Sequence, residues 1–231
     1  MEGFAATSRA EPETSPRVHP VVYMITDRRR LGESAGAALI RRVAAAARAG
    51  MHLIQIRERD MSDGELLTLV TQAVEAVRGT RTRILVNDRV DVAMVAGAHG
   101  VHLRADSAPA RRVRKVAPPS FLIGRSVHTH DEISQVRAEG DVDYLLFGTV
   151  FETASKPNLP HTGIAGLADA VDAAKGVPVL GVGGMSLDTV GQLHQTGCAG
   201  FAAIGQFADV PEHDLPRTVT AALGAWDNQR Y

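Results

Sequence analysis

Short apolar runs alternate with amphipathic stretches along most of this chain. The runs fall at residues 21–25, 53–56, 84–86, 100–103, 121–127, 144–147, 177–180 and 201–204. They are too short to span a membrane and are apolar on both faces, the pattern of strands buried in a parallel sheet. Between them, apolar residues recur at helical spacing. Leu39, Ile40, Val43 and Ala47 form one such stripe, and Leu66, Leu69, Val70, Ala73 and Val77 another. Ser34 stands where a helix to about Arg48 needs its cap, and Gly50 where it stops. Ser62-Asp63-Gly64-Glu65 and Thr129-His130-Asp131-Glu132 have the spacing of capping boxes, and Ser186 can cap the helix that stops at Gly197. The last helix is expected over roughly 216–226, and a basic one from about Ala108 to Val116.

Eight strand–helix repeats in one chain are best satisfied by a closed parallel (β/α)8 TIM barrel, an α/β fold of a single domain. An open doubly wound sheet is the structural alternative, but even repeats favour closure. The domain is expected over residues 21–231. Residues 1–20, with three prolines and many small or polar side chains, read as a disordered tail.

Composition narrows the function. The chain has 231 residues, 45% hydrophobic, with a formal net charge of −1. Near-neutral charge without a basic run argues against a nucleic-acid partner. No apolar stretch approaches the roughly 18 residues of a membrane span, and the N-terminus lacks a signal peptide's apolar core. Cys198 is the single cysteine, so no internal disulfide can form, which suits a cytoplasmic setting. Small-molecule chemistry is the remaining class; a homo-oligomer is left open.

In a barrel, all eight strand ends meet at one mouth, where ligands bind. His128 follows the run FLIGRSV and precedes the next helix, so it belongs at such an end. It is either an acid–base group or a histidine that bonds a neighbouring loop. Gly183-Gly184 and Gly205 follow the last two strands, the common phosphate position in barrels; the bland alternative is a tight turn. Arg57 and Arg59 lie two apart and point the same way on a strand. They suit a carboxylate or pyrophosphate, or else pair with Glu58 or Asp60. Asn87-Asp88 suits a metal only with further oxygen ligands. His102 fits the barrel interior equally well. The long loop from Gly148 to about Gly163 carries Thr149, Thr153, Ser155 and Lys156. Loops of that length are often functional, and Lys156 either closes over an anion or is solvated.

The segments ITD, IRER, NDRVDVA, GVHL, GRSVH, DYLLFG and GVGGM, with their spacings, resemble the thiamine phosphate synthase / thiazole tautomerase (TenI) superfamily from about Val21 to Phe207. The resemblance implies a (β/α)8 barrel and one of two activities. The synthase joins a pyrimidine pyrophosphate to a thiazole phosphate and needs Mg²⁺. Its pattern after strand four, H-L-G-Q-x-D, ends in an Asp that helps hold the metal. Here that stretch reads His102-Leu103-Arg104-Ala105-Asp106-Ser107, so Ser107 stands at the metal-binding position and Asp106 is one residue off. Its pyrophosphate-binding Gln, Arg and Lys fall at Gln55, Arg57 and Arg59. GRSVH and FGTVFET look more like the tautomerase. The expectation is therefore a thiazole tautomerase of thiamine biosynthesis, an isomerase that aromatises a carboxy-thiazole ethyl phosphate by proton transfer from ring C2 to the exocyclic carbon. No metal or other cofactor is expected. His128 is the expected catalytic group. Arg57, Arg59, Asn87, Ser126, Thr149, Thr153, Lys156, Gly183, Gly184 and Gly205 are the expected contacts of the thiazole phosphate. The synthase, and a non-catalytic regulator that binds a thiazole phosphate, are the alternatives.

Overall fold

A computed structural model describes residues 20–32, 35–153 and 160–227. Residues 1–19 of the expected tail, the Ser34 cap and Lys156 lie outside the described residues. Eight parallel strands close into one barrel in chain order. They are β1 (Val21–Ile25), β2 (Leu53–Ile56), β3 (Arg83–Asn87), β4 (Gly100–Leu103), β5 (Leu122–Val127), β6 (Tyr144–Phe147), β7 (Val179–Val182) and β8 (Gly200–Ala203). β8 pairs with β1 from Val21–Gly200 to Met24–Ala203, which closes the ring and excludes the open sheet.

The helices between strands are α1 (Ala35–Arg48), α2 (Asp63–Ala76), α3 (Val90–Val95), α4 (Ala110–Arg114), α5 (His130–Glu139), α6 (Gly163–Ala174) and α7 (Leu187–Leu193). A short α8 (Gly205–Ala208) and a longer α9 (Leu215–Asp227) follow β8.

Each strand feeds two cores, because successive side chains point to opposite faces. Tyr23, Ile25, Leu85, Tyr144, Leu146, Leu180 and Ala202 fill the barrel interior. Their neighbours Val22, Met24, Ile84, Val86, Leu145 and Phe147 pack outward against the helices. This two-sided burial is why the strands read as unbroken apolar runs.

Two boundaries depart from expectation. β7 begins at Val179 and extends to Val182, two residues later than expected. Pro178 has no N–H to donate to the ladder, whereas Gly181 and Val182 pair with Phe201 and Ala202. α4 is also shorter than expected. The preceding loop is tied instead to Arg125, whose guanidinium donates to the carbonyls of Ala105, Ser107 and Ala108 at 2.8–3.0 Å. Ser62 forms the full capping box with Glu65. Thr129 makes only half of one: its hydroxyl accepts from Glu132 N, while the Glu132 carboxylate turns to His128 N.

Candidate active site

The carboxyl end of β2 carries the charge. Gln55 faces the interior, 1% exposed, and its Nε2 donates to Asn87 Oδ1 on β3 at 3.2 Å. Two residues on, Arg57 continues the same face and is half-buried. Burial lowers its pKa, and the neighbouring Arg59 and Arg29 push it down further. The carboxylates that sequence offered as its partners are taken. Glu58 is 4% exposed and accepts from Thr26 Oγ1 at 2.6 Å and from Arg28 N at 3.1 Å. Asp60 is bound by Arg28 Nη1 at 2.5 Å. Among the described residues, neither Arg57 nor Arg59 is in an ion pair. Asp27 and Glu58 offset the lowering of the Arg57 pKa only in part, and two guanidiniums outside any described ion pair favour an anionic ligand.

Asp88 follows β3 with φ of 62°, a left-handed conformation that Asp tolerates. Its Oδ1 accepts a short hydrogen bond from Ser107 Oγ, and its Oδ2 lies 3.6 Å from Arg104 Nη1. Arg104 also pairs closely with the exposed Asp106. So Ser107, not Asp106, is the residue that meets Asp88. Arg125, buried on the outer face of β5, holds the loop that delivers it.

Ser126 and His102 meet inside the mouth, with Ser126 Oγ 2.8 Å from His102 Nε2. His102 Nδ1 lies 3.0 Å from Tyr144 Oη, which lies 3.2 Å from Tyr23 Oη. His102 is 2% exposed. Burial, then Arg125, pushes its pKa down to about 3, so it is neutral at working pH.

Gly183 and Gly184 follow β7 with φ of 101° and 63°. A Cβ on Gly183 would lie 2.5 Å from Thr149 Cγ2, and one on Gly184 2.3 Å from Glu152 O. The loop after β6 runs alongside, with Val150 N donating to Val182 O and Phe151 N to Gly183 O. Both glycines are therefore required by this loop packing, whatever they bind. The structure brings Thr149 beside Gly183; Thr153 is half-buried on the same loop. Gly205 opens α8, after β8.

His128 is placed differently from Arg57 and Ser126. Its Nδ1 lies 2.5 Å from Gly148 O, and its side chain is exposed. It lines a cleft of about 550 Å³ with Thr129, Phe147, Thr162 and Asp169, between the end of β5 and α6. None of Arg57, Asn87, Ser126 or Gly183 lines that cleft.

The pattern of the thiamine monophosphate synthase family matches residues 22–207. The chain belongs to that family. A thiamine-phosphate synthase of Roseiflexus sp. (strain RS-1) is 35% identical over 94% of this chain and 89% of its own length. One from Methanoculleus marisnigri is 35% identical over 84% and 89%. Among solved structures, thiamine phosphate pyrophosphorylase from Pyrococcus furiosus superposes with a TM-score of 0.78 at 27% identity, covering 93% of this chain and 99% of its own.

These relatives correct the tautomerase expectation: they are named for the synthase, a transferase and not an isomerase. The proton-carrier role expected of His128 belongs to the tautomerase reaction. Sequence weighed GRSVH and FGTVFET as the deciding segments. In the fold, Arg125 of the first is a loop anchor, and Thr149-Val150-Phe151-Glu152 of the second packs against the β7 turn.

The resemblance implies Mg²⁺ for a synthase, and the donor set here does not match a two-carboxylate site. Asp88 supplies one carboxylate, Ser107 only a hydroxyl, and Arg104 places a cation beside them. Among the described residues, no three His, Cys, Asp or Glu side chains converge as a metal-binding group. No described helix is long and apolar enough to cross a membrane.

Sequence reasoning missed Tyr23 and Tyr144, which read as core aromatics, and Arg28, whose capture of Glu58 and Asp60 depends on a contact 30 residues away in sequence.

Proposed function

We propose that this protein is a thiamine-phosphate synthase, a transferase that couples a pyrimidine pyrophosphate to a thiazole phosphate with departure of pyrophosphate. The observation that carries the reading is 35% identity, over 94% of the chain, to a relative of that name. The geometry is compatible with it. Coupling breaks a C–O bond and leaves charge on the departing pyrophosphate, which fixed cations stabilise best. Arg57, in no ion pair among the described residues, is the first candidate to hold that charge, with the exposed Arg59 outside it. Gln55 and Asn87, bonded to each other, form the neutral wall beneath them. Ser126 adds a hydroxyl donor. Thr149, Thr153, Gly183, Gly184 and Gly205 are assigned to the thiazole phosphate, and Lys156 to the same loop. A cytoplasmic setting suits these charged metabolites and the single cysteine.

The test is incubation with both substrates and chromatographic detection of thiamine phosphate. Product that depends on both substrates supports the assignment. Its absence across a range of divalent cations overturns it.

A further inference from the structure

The interior of the barrel holds a four-member hydrogen-bond chain whose direction is fixed by counting protons. Tyr23, Tyr144, His102 and Ser126 come from β1, β6, β4 and β5, and three contacts of 2.8–3.2 Å join them in that order. Gly124 makes the arrangement possible, since a Cβ there would sit 2.0 Å from Tyr144 Cζ. The rings also stack or meet edge-on, with centroids 5.7–6.4 Å apart.

With His102 neutral, the four groups carry one proton each, and three links use three of them. If the chain donates from Tyr23 toward Ser126, the unused proton is on Ser126. If it donates in reverse, the unused proton is on Tyr23. Tyr23 is 0% exposed, and among the described residues its hydroxyl meets no group other than Tyr144. A buried donor without an acceptor disfavours the reverse direction by a factor on the order of ten to a hundred. Ser126 is half-buried at the mouth, where a free proton has something to meet. A reversal within the chain strands a proton on Tyr144 or His102, which are also buried.

We propose that Tyr23, Tyr144 and His102 are positioning residues that fix Ser126 as a hydrogen-bond donor to an anionic oxygen of the substrate. The inference rests on the synthase reading for the identity of that anion, a pyrophosphate oxygen. His102 then carries its proton on Nε2 and accepts at Nδ1. Burial and the Arg125 cation oppose the imidazolium, in which both ring nitrogens would donate and the chain would reverse. Ser126 already accepts from Nε2, so its remaining use is to give its proton to the ligand.

The tautomer can be read directly by ¹⁵N NMR of the intact protein labelled at histidine, with the His102 signals assigned by their loss in His102→Gln. The expected spectrum shows an unprotonated Nδ1 and a protonated Nε2, unchanged from pH 8 to pH 5. A protonated Nδ1 or an imidazolium in that range overturns the proposal. Calorimetric binding of inorganic pyrophosphate supplies the second reading. Tyr144→Phe removes the donor to Nδ1 and should weaken pyrophosphate about ten-fold, and Ser126→Ala on that background should weaken it little more. Independent, multiplying losses would show that Tyr144 does not act through Ser126. Neither readout needs turnover. A parent protein that makes no thiamine phosphate would overturn the synthase reading, while the tautomer and the pyrophosphate affinities would still decide the direction of the chain.

Discussion

Ser107 donates its hydroxyl proton to Asp88 Oδ1, while Arg104 faces the other oxygen of the same carboxylate at 3.6 Å. One carboxylate is thus held between a hydroxyl and a guanidinium, where the resemblance implies a metal-binding Asp at position 107. The local charge is more positive than a two-carboxylate magnesium site by two substitutions, Ser107 for Asp and Arg104 for Gly.

That relationship sets the first prediction. In the absence of substrate, the protein should bind Mg²⁺ weakly, because hard cations need clustered oxygen charge. Arg104→Gly with Ser107→Asp should tighten Mg²⁺ binding at least ten-fold by calorimetry. Equal affinity in parent and double variant would show that Arg104 and Ser107 do not control the site.

Arg57 is the second test. Arg57→Ala removes a half-buried cation that forms no ion pair among the described residues, so its loss should fall on the ligand and not on the fold. A charge-assisted hydrogen bond is worth about 1.5–3 kcal/mol, so KM for the pyrimidine pyrophosphate should rise by roughly 10- to 150-fold. Arg57→Lys should recover only part of this, because a lysine lacks the planar fork. Arg59→Ala, on an exposed residue, should cost a few-fold. A larger effect at Arg59 than at Arg57 would reverse the assignment.

Buried His102 predicts an acid limb in stability. Its folded pKa is about 3, depressed by burial and then by Arg125, against about 6.5 when unfolded. Below pH 6.5 the unfolded chain takes up a proton that the folded chain does not. Stability should therefore be full above about pH 6.5 and fall by about 1.4 kcal/mol per pH unit between about 6.5 and 3 from this group alone. Urea melts of the parent and of His102→Gln should differ in slope over that window. Parallel curves would mean that His102 does not stay neutral.

His128 provides the control. It lines the side cleft and bonds Gly148 O, so His128→Asn, which keeps a donor, should leave the rate of coupling within a few-fold of the parent. A loss of two orders of magnitude or more, the scale of a general acid–base group, would return His128 to the chemistry.

The barrel was legible because its strands are apolar on both faces and its helices carry regular stripes. Each of the eight expected strands is present, and the errors lie at ends governed by Pro178 and by the Arg125 tether. The site was legible only in part. The place of Arg57 at the end of β2 follows from strand periodicity, whereas the Gln55–Asn87 hydrogen bond joins two strands and no local spacing marks it. The fate of Glu58 and Asp60 does not, because Arg28 reaches them across two strand ends. The Tyr23–Tyr144–His102–Ser126 chain joins residues from four strands, and no local spacing marks it. The choice between synthase and tautomerase failed for a related reason: it leaned on the segments GRSVH and FGTVFET, in which Arg125 and residues 149–152 serve packing.

Coupling is read out by a single-turnover experiment with excess protein, following thiamine phosphate and free pyrophosphate together. Both should appear at the same rate and in equal amounts, and Arg57→Ala should slow both alike. Pyrophosphate release without thiamine phosphate, or neither product from both substrates at saturating concentration, would contradict the synthase reading.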